Sequence, residues 1–251
     1  MHKRHYSIET ILSNLNIENL NEMQEASIEA TKKHDNVMIL SATGSGKTLA
    51  FLLPVLQHID GHNKNTQAIV IVPSRELALQ IEQVFRTMGT GLKVTCCYGG
   101  HKREIEENNL IQPPAVIIGT PGRLADHIRR GNITVDSIET VVLDEFDKSL
   151  ELGFQEEVAT VISAFKNIKR RILTSATQAV EVPDFVGQLH LNNWIFCLQM
   201  QHLKQPYLFS TLFLTIRIRL TPCSSCYASS GVVQLLFSAI TGSRWKECIS
   251  Y

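Results

Sequence analysis

Two stretches of this sequence place charged residues where an apolar run stops and a helical pattern begins. The first is "SATGSGKT", Ser41–Thr48. Gly44 and Gly46 let the backbone turn sharply. The N–H groups of Thr43, Gly44, Ser45 and Gly46, with the helix N-terminus that follows, then form a cradle for an anion. Lys47 has the length to reach the β- and γ-phosphates of a nucleotide, and the Thr48 hydroxyl can ligate Mg²⁺. The strict form of this loop has glycine six residues before the lysine; here that position is Ser41.

The second stretch is "VVLDEFDK", Val141–Lys148. Adjacent carboxylates at Asp144 and Glu145 repel each other unless a cation sits nearby, and a metal-bound nucleotide supplies one. Asp144 is then expected to hold Mg²⁺, directly or through water, and Glu145 to orient and polarise an attacking water. Taken alone, such acids also suit an ordinary helix N-terminus. The catalytic reading needs the phosphate loop close by, so the two strands that deliver Thr48 and Asp144 are expected to be neighbours ending at the same sheet edge.

The surrounding pattern supplies such a sheet. Short β-type runs fall at Val37–Leu40, Ala68–Val72, Lys93–Cys97, Val116–Ile118, Thr140–Leu143 and Arg171–Thr174. Helical patterns such as Leu49–His58, Glu76–Met88, Arg123–Arg129 and Gln155–Phe165 alternate with them. Nearly continuous Val/Ile/Leu strands suit a parallel sheet covered by helices on both faces, which binds its ligands at the carboxyl ends of the strands. The 24 basic and 24 acidic residues balance, so any polyanionic partner must be met by a local patch. Six cysteines without an apolar leader point to free thiols in a reducing cytoplasm. The apolar runs are too short for a bilayer, so no membrane partner is expected.

The composition changes towards the end. Residues 185–246 contain no Asp or Glu, and the strand–helix alternation fades. A boundary near Pro183–Gly187 divides the chain into a domain over 1–186 and an irregular C-terminal tail over 187–251. Cys223 and Cys226 have the spacing of half a zinc site, but no second pair completes it.

The motifs together resemble the DEAD-box ATP-dependent RNA helicases. "SATGSGKT" is similar to that family's first motif, "PSRELA" (Pro73–Ala78) to its P-T-R-E-L-A, and Gly99-Gly100 to its paired glycines. "TPGR" (Thr120–Arg123) and "SAT" (Ser175–Thr177) match outright, and "DEFD" stands where the family writes D-E-A-D, with Phe146 for alanine. Order and spacing agree over roughly residues 10–180, the extent of the family's first RecA-like domain.

The resemblance implies an α/β RecA-like (P-loop NTPase) fold, with ATP and Mg²⁺ as cofactors and RNA as partner. It implies that Gln24 reads adenine, although Asn21-Glu22 replaces the usual Pro-Thr before it. It implies that Asp147 couples to the segment of Ser175 and Thr177, linking nucleotide to RNA. The RNA backbone would be met by Arg75, Gly99, Gly100, Thr120, Gly122 and Arg123, with little base preference. Members of the family carry a second RecA-like domain with arginine fingers, and nothing after Thr177 resembles its motifs. The expectation is therefore an ATP- and RNA-binding first domain, truncated and weakly active, to be completed by a second domain or a helicase partner in trans. The alternatives are a catalytically silent nucleotide- or RNA-binding module and a non-functional truncated product.

Overall fold

The computed structural model describes residues 6–100, 102–176 and 195–198. In chain order the elements are α1 (Ile8–Asn14), α2 (Glu22–Lys33), β1 (Asn36–Leu40), α3 (Lys47–His58), β2 (Ala68–Ile71), α4 (Arg75–Thr87), β3 (Val94–Cys97) and α5 (Arg103–Leu110). There follow β4 (Val116–Gly119), α6 (Pro121–Arg129), β5 (Thr140–Leu143), α7 (Phe146–Glu151), α8 (Gln155–Ser163), β6 (Arg170–Ser175) and β7 (Ile195–Leu198). All of these residues belong to one compact unit. No described helix is long and apolar enough to cross a membrane.

The strands form one sheet in the order β3-β4-β2-β5-β6-β1-β7. Every pairing is parallel. Side chains alternate across the sheet and build a core on each face. Val37, Ile39 and Val70 lie in one core with Phe51 of α3 and Phe85 of α4. Met38, Ile69 and Val141 lie in the other with Leu124 of α6 and Val161 of α8. This is the parallel sheet with helices on both faces that the strand pattern predicts, and it suits the RecA-like fold that the resemblance implies.

Two expectations change. β1 and β5 are not neighbours, because β6 lies between them and pairs with both. The strands that deliver Thr48 and Asp144 therefore share an edge with a third strand interposed, which matters for the site. The sheet also takes β7 from beyond the boundary read at Pro183–Gly187. The remainder of the tail, including Cys223 and Cys226, lies outside the described residues, as does Thr177.

One tertiary contact repairs a local fault. Pro54 lies inside α3, and its missing N–H leaves the carbonyl of Ala50, one turn earlier, without its helical donor. Ser27 on α2 donates its hydroxyl to that carbonyl at 2.5 Å. The bond ties α2 to α3 and holds Gln24, one turn before Ser27, over the start of α3.

Candidate functional site

The phosphate-loop sequence folds into a turn that links β1 to α3. Gly44 and Gly46 adopt φ of 80° and 88°, left-handed values that glycine reaches without strain. At Gly46 an added Cβ would also lie 2.6 Å from Gln24 Nε2. At Gly44 it would meet nothing within 4 Å, which leaves the mouth of the loop open. Lys47 is buried, and its Nζ donates to the Ser41 carbonyl at 3.0 Å. The Ser41 hydroxyl donates to Ser45 Oγ at 2.6 Å. Thr48 follows, half-buried.

Gln24 is buried and fully engaged. Its Oε1 accepts from the Asn21 N–H, the return half of a capping box, and its Nε2 donates to the Gly46 carbonyl at 3.1 Å. Asn21 Nδ2 donates to the Ser45 carbonyl at 3.0 Å. The asparagine that departs from the family pattern thus caps α2 and latches the phosphate loop. Gln24 touches the loop itself, and an adenine would have to draw the amide away from these partners.

Across the edge, Asp144 is 3% exposed. Burial pushes its pKa up to about 6; the Thr174 hydrogen bond and the nearby Lys47 charge pull it down, and Glu145 adds to the rise. The influence of Lys47 on Asp144 brings the phosphate loop and the acid pair into one electrostatic environment. Glu145 has φ 48° and ψ 50°, a left-handed conformation costly for a non-glycine residue. Its N–H donates to Thr174 Oγ1 at 3.0 Å, and the Thr174 hydroxyl in turn donates to Asp144 Oδ1. The Glu145 carboxylate holds Lys148 Nζ at 2.8 Å, and this bond raises the lysine's pKa.

Thr174 is the site residue that sequence reasoning missed. Its signal lay in the register: Leu143 pairs with Leu173, so the next residue of β6 faces Asp144. Asp147 is buried, and its Oδ2 accepts from the Ala176 N–H at 3.0 Å. Asp147 thus meets the "SAT" segment at the Ala176 backbone, and Ser175 beside it is buried.

The other candidate residues gather where β3 and β4 end. The Arg75 guanidinium stacks 5.1 Å from the centre of the Tyr98 ring, just before Gly99 and Gly100. Gly100 has φ 96°, and a Cβ there would meet Arg75 Nη1 at 3.3 Å. Thr120 occupies the cap position of α6 without using its hydroxyl for capping, and Pro121 is the first helical residue. Gly122 has open space beside it. Arg123 Nε donates to the Tyr98 carbonyl at 3.2 Å and lies 3.3 Å from Glu106 Oε2. A cavity of about 260 Å³ lies by Pro113, Pro114 and Ile133, where Pro114 leads into the amino end of β4, away from these loops.

Cys97, Glu106 and His127 are all buried, with potential ligand atoms within 4.8 Å of one another. They suit a hydrogen-bonded network better than a metal. Glu106 already accepts from the Tyr98 N–H at 2.8 Å and pairs with His127 Nε2 at 2.6 Å, and the Arg123 guanidinium beside it repels a cation. Burial raises the pKa of Cys97, which keeps the thiol protonated and a poor ligand.

Known proteins resemble this chain in sequence and in fold. The sequence profile of the DEAD/DEAH box helicase family matches residues 21–185. The chain is 38% identical over 162 residues to the ATP-dependent RNA helicase CshA of Limosilactobacillus reuteri, covering 64% of this chain and 33% of that protein. It is 37% identical over 169 residues to the ATP-dependent RNA helicase DeaD of Escherichia coli (strain K12), covering 66% of this chain and 27% of that one. The match thus spans a third or less of the length of these curated relatives. Among solved structures, a DEAD box protein from the hyperthermophile Methanococcus jannaschii superposes with a TM-score of 0.68 at 27% identity, over 79% of this chain and 54% of that one. A hypothetical ATP-dependent RNA helicase from Sulfolobus tokodaii does so with a TM-score of 0.65 at 28% identity, over 77% and 57%. With the profile matching well over half of its residues and the sheet superposing on solved members, the chain belongs to the DEAD/DEAH box helicase family.

Proposed function

We propose that the domain read at residues 1–186, with β7 added to its sheet, is the ATP- and RNA-binding first domain of a cytoplasmic DEAD-box RNA helicase, which in the complete enzyme couples ATP hydrolysis to remodelling of RNA duplexes. The observation that carries this reading is the common carboxyl edge of the sheet, where β6 pairs with both β1, which leads into the phosphate loop, and β5, which delivers the buried Asp144. In this reading the Lys47 ammonium leaves the Ser41 carbonyl and takes the β- and γ-phosphates, while the N–H groups of Thr43 to Gly46 surround them. The Thr48 hydroxyl and Asp144 carboxylate are hard oxygen donors that fit Mg²⁺. When bound, the ion neutralises charge on the phosphates. Glu145, fixed through its N–H by Thr174, orients the attacking water. Asp147 carries the state of the site to the "SAT" segment, Ser175 to Thr177, through its bond to the Ala176 N–H.

On this basis Lys47→Ala lowers affinity for ATP–Mg²⁺ by about a hundredfold, because a charge-assisted contact to phosphate is lost. Titration calorimetry measures it, and unchanged affinity would remove the phosphate-loop assignment. Glu145→Gln leaves that affinity nearly intact but lowers hydrolysis by about a hundredfold, the low end for loss of a general base.

The 251 residues contain no A-R-G-x-D and no H-R-x-G-R-x-G-R pattern. A finger arginine contributes about 10³–10⁵ in rate to related phosphoryl transfers, so this chain alone is proposed to hydrolyse ATP slowly. Adding a separately produced second RecA-like domain tests the catalytic reading. RNA-stimulated hydrolysis supports it, whereas no gain at saturating RNA leaves a nucleotide-binding module.

A further inference from the structure

The mechanism above leaves one buried charge unused. Glu106, on α5, is 1% exposed and lies beneath the loops where β3 and β4 end. A carboxylate is rarely buried so deeply unless its partners compensate it, and two of the partners found here, Tyr98 and Arg123, belong to the candidate RNA face. Glu106 Oε1 accepts the Tyr98 N–H, the last donor before Gly99 and Gly100. Oε2 lies 3.3 Å from Arg123 Nε, and the same Nε donates to the Tyr98 carbonyl. Tyr98 is thereby held through its N–H by Glu106, through its carbonyl by Arg123 and through its ring by Arg75. On the far side, His127 is fully buried with Nε2 at 2.6 Å from Oε2. Asn132 Nδ2 donates to His127 Nδ1 at 3.1 Å, so the imidazole proton sits on Nε2 and points at the carboxylate.

We propose that Glu106 is the positioning residue of the RNA-binding face, a buried anion that locks the Tyr98–Gly100 turn and Arg123 into one arrangement before RNA arrives. The proposal rests on the reading of that face as RNA-binding. Arg75 and Arg123 lie on different helices, and a sugar–phosphate backbone can be gripped by both only if their spacing is fixed. Glu106 with Tyr98 supplies that spacing and lowers the ordering cost of binding. His127 and Asn132 orient the carboxylate from behind, and none of the three needs to touch RNA.

The experiment uses the full chain and a fluorescently labelled oligouridylate, read by anisotropy, with ATP–Mg²⁺ affinity measured on the same samples. Arg75→Ala and Arg123→Ala come first. If neither weakens RNA binding, the face is wrongly assigned and the RNA reading itself fails. If they do, Glu106→Gln is decisive. Glutamine keeps the size and one acceptor, but sets an N–H₂ group or an uncharged oxygen against Arg123 and His127. RNA affinity is expected to fall about tenfold with nucleotide affinity unchanged. Combined with Arg123→Ala, its loss is expected to be less than additive, since both changes release the same turn. Full RNA affinity in Glu106→Gln, additive losses, or a variant that loses nucleotide and RNA together through unfolding would each overturn the proposal.

Discussion

Phe146→Ala, the change that writes the family's D-E-A-D into this chain, destabilises the domain by about 3–5 kcal/mol. Phe146 is 1% exposed and packs in the core that holds Leu143, Leu124 and Val158. Truncating a buried phenylalanine removes its transfer free energy and leaves a cavity that the neighbours fill only in part. Domains of ordinary stability hold about 5–15 kcal/mol, so the loss is a large fraction of the total. The position sharpens the effect. α7 has six residues, too few for a helix to persist in water by itself, and Phe146 is the first of them. Glu145 precedes it in a strained conformation, and Asp147 follows it with its bond to Ala176. The ring therefore pins the short helix that aims both acids. Urea unfolding should show a lower midpoint with an unchanged slope. A loss below about 1 kcal/mol would show that the pocket collapses around alanine, and that the phenylalanine holds nothing in place.

What could be read in the sequence was local. Gly44, Gly46, Lys47 and Thr48 sit within five residues, and the loop that they form depends on backbone freedom and side-chain length alone. The six strands were legible because a buried parallel strand is an unbroken apolar run. Strand order was not, since nothing in the period of Thr140–Leu143 says that β6 will separate β5 from β1. Thr174 went unseen for that reason: its hydroxyl acts across a strand pairing on residues thirty positions earlier. Ser27 was hidden in the same way, because its use is to serve a carbonyl stranded by Pro54 on another helix. Glu106 and His127 carry no signal in the sequence, because their pairing exists only where α5 and α6 come together. Gln24 was legible as a site residue through the resemblance, but its capping bond to Asn21 and its hold on Gly46 depend on where α2 docks.

Asp144→Asn is expected to raise the stability of the nucleotide-free protein at pH 8 while abolishing its response to Mg²⁺. Burial lifts the pKa of Asp144 from the ordinary 3.8 to about 6. The folded protein thus binds this proton more tightly than the unfolded chain does. The stabilisation is complete below about pH 4 and is lost as the pH rises through about 6. At pH 8 the ionised carboxylate costs about 3 kcal/mol relative to a neutral group in the same place. Asparagine keeps the volume and an oxygen for the Thr174 hydroxyl, and it has no charge at any pH. Its melting temperature should exceed that of the wild type by about 6–12 °C at pH 8 and match it at pH 4. ATP without metal should then raise both melting temperatures through the phosphate loop, while adding Mg²⁺ should raise that of the wild type further and leave the variant where it was, since only binding to the native state stabilises it. A variant no more stable at pH 8, or more stable by the same amount at both pH values, would mean that the buried charge is not what the site costs. Thr174, Lys47 and the Glu145 turn keep a carboxylate where a neutral side chain would be more comfortable, and such a carboxylate gains most when a cation arrives.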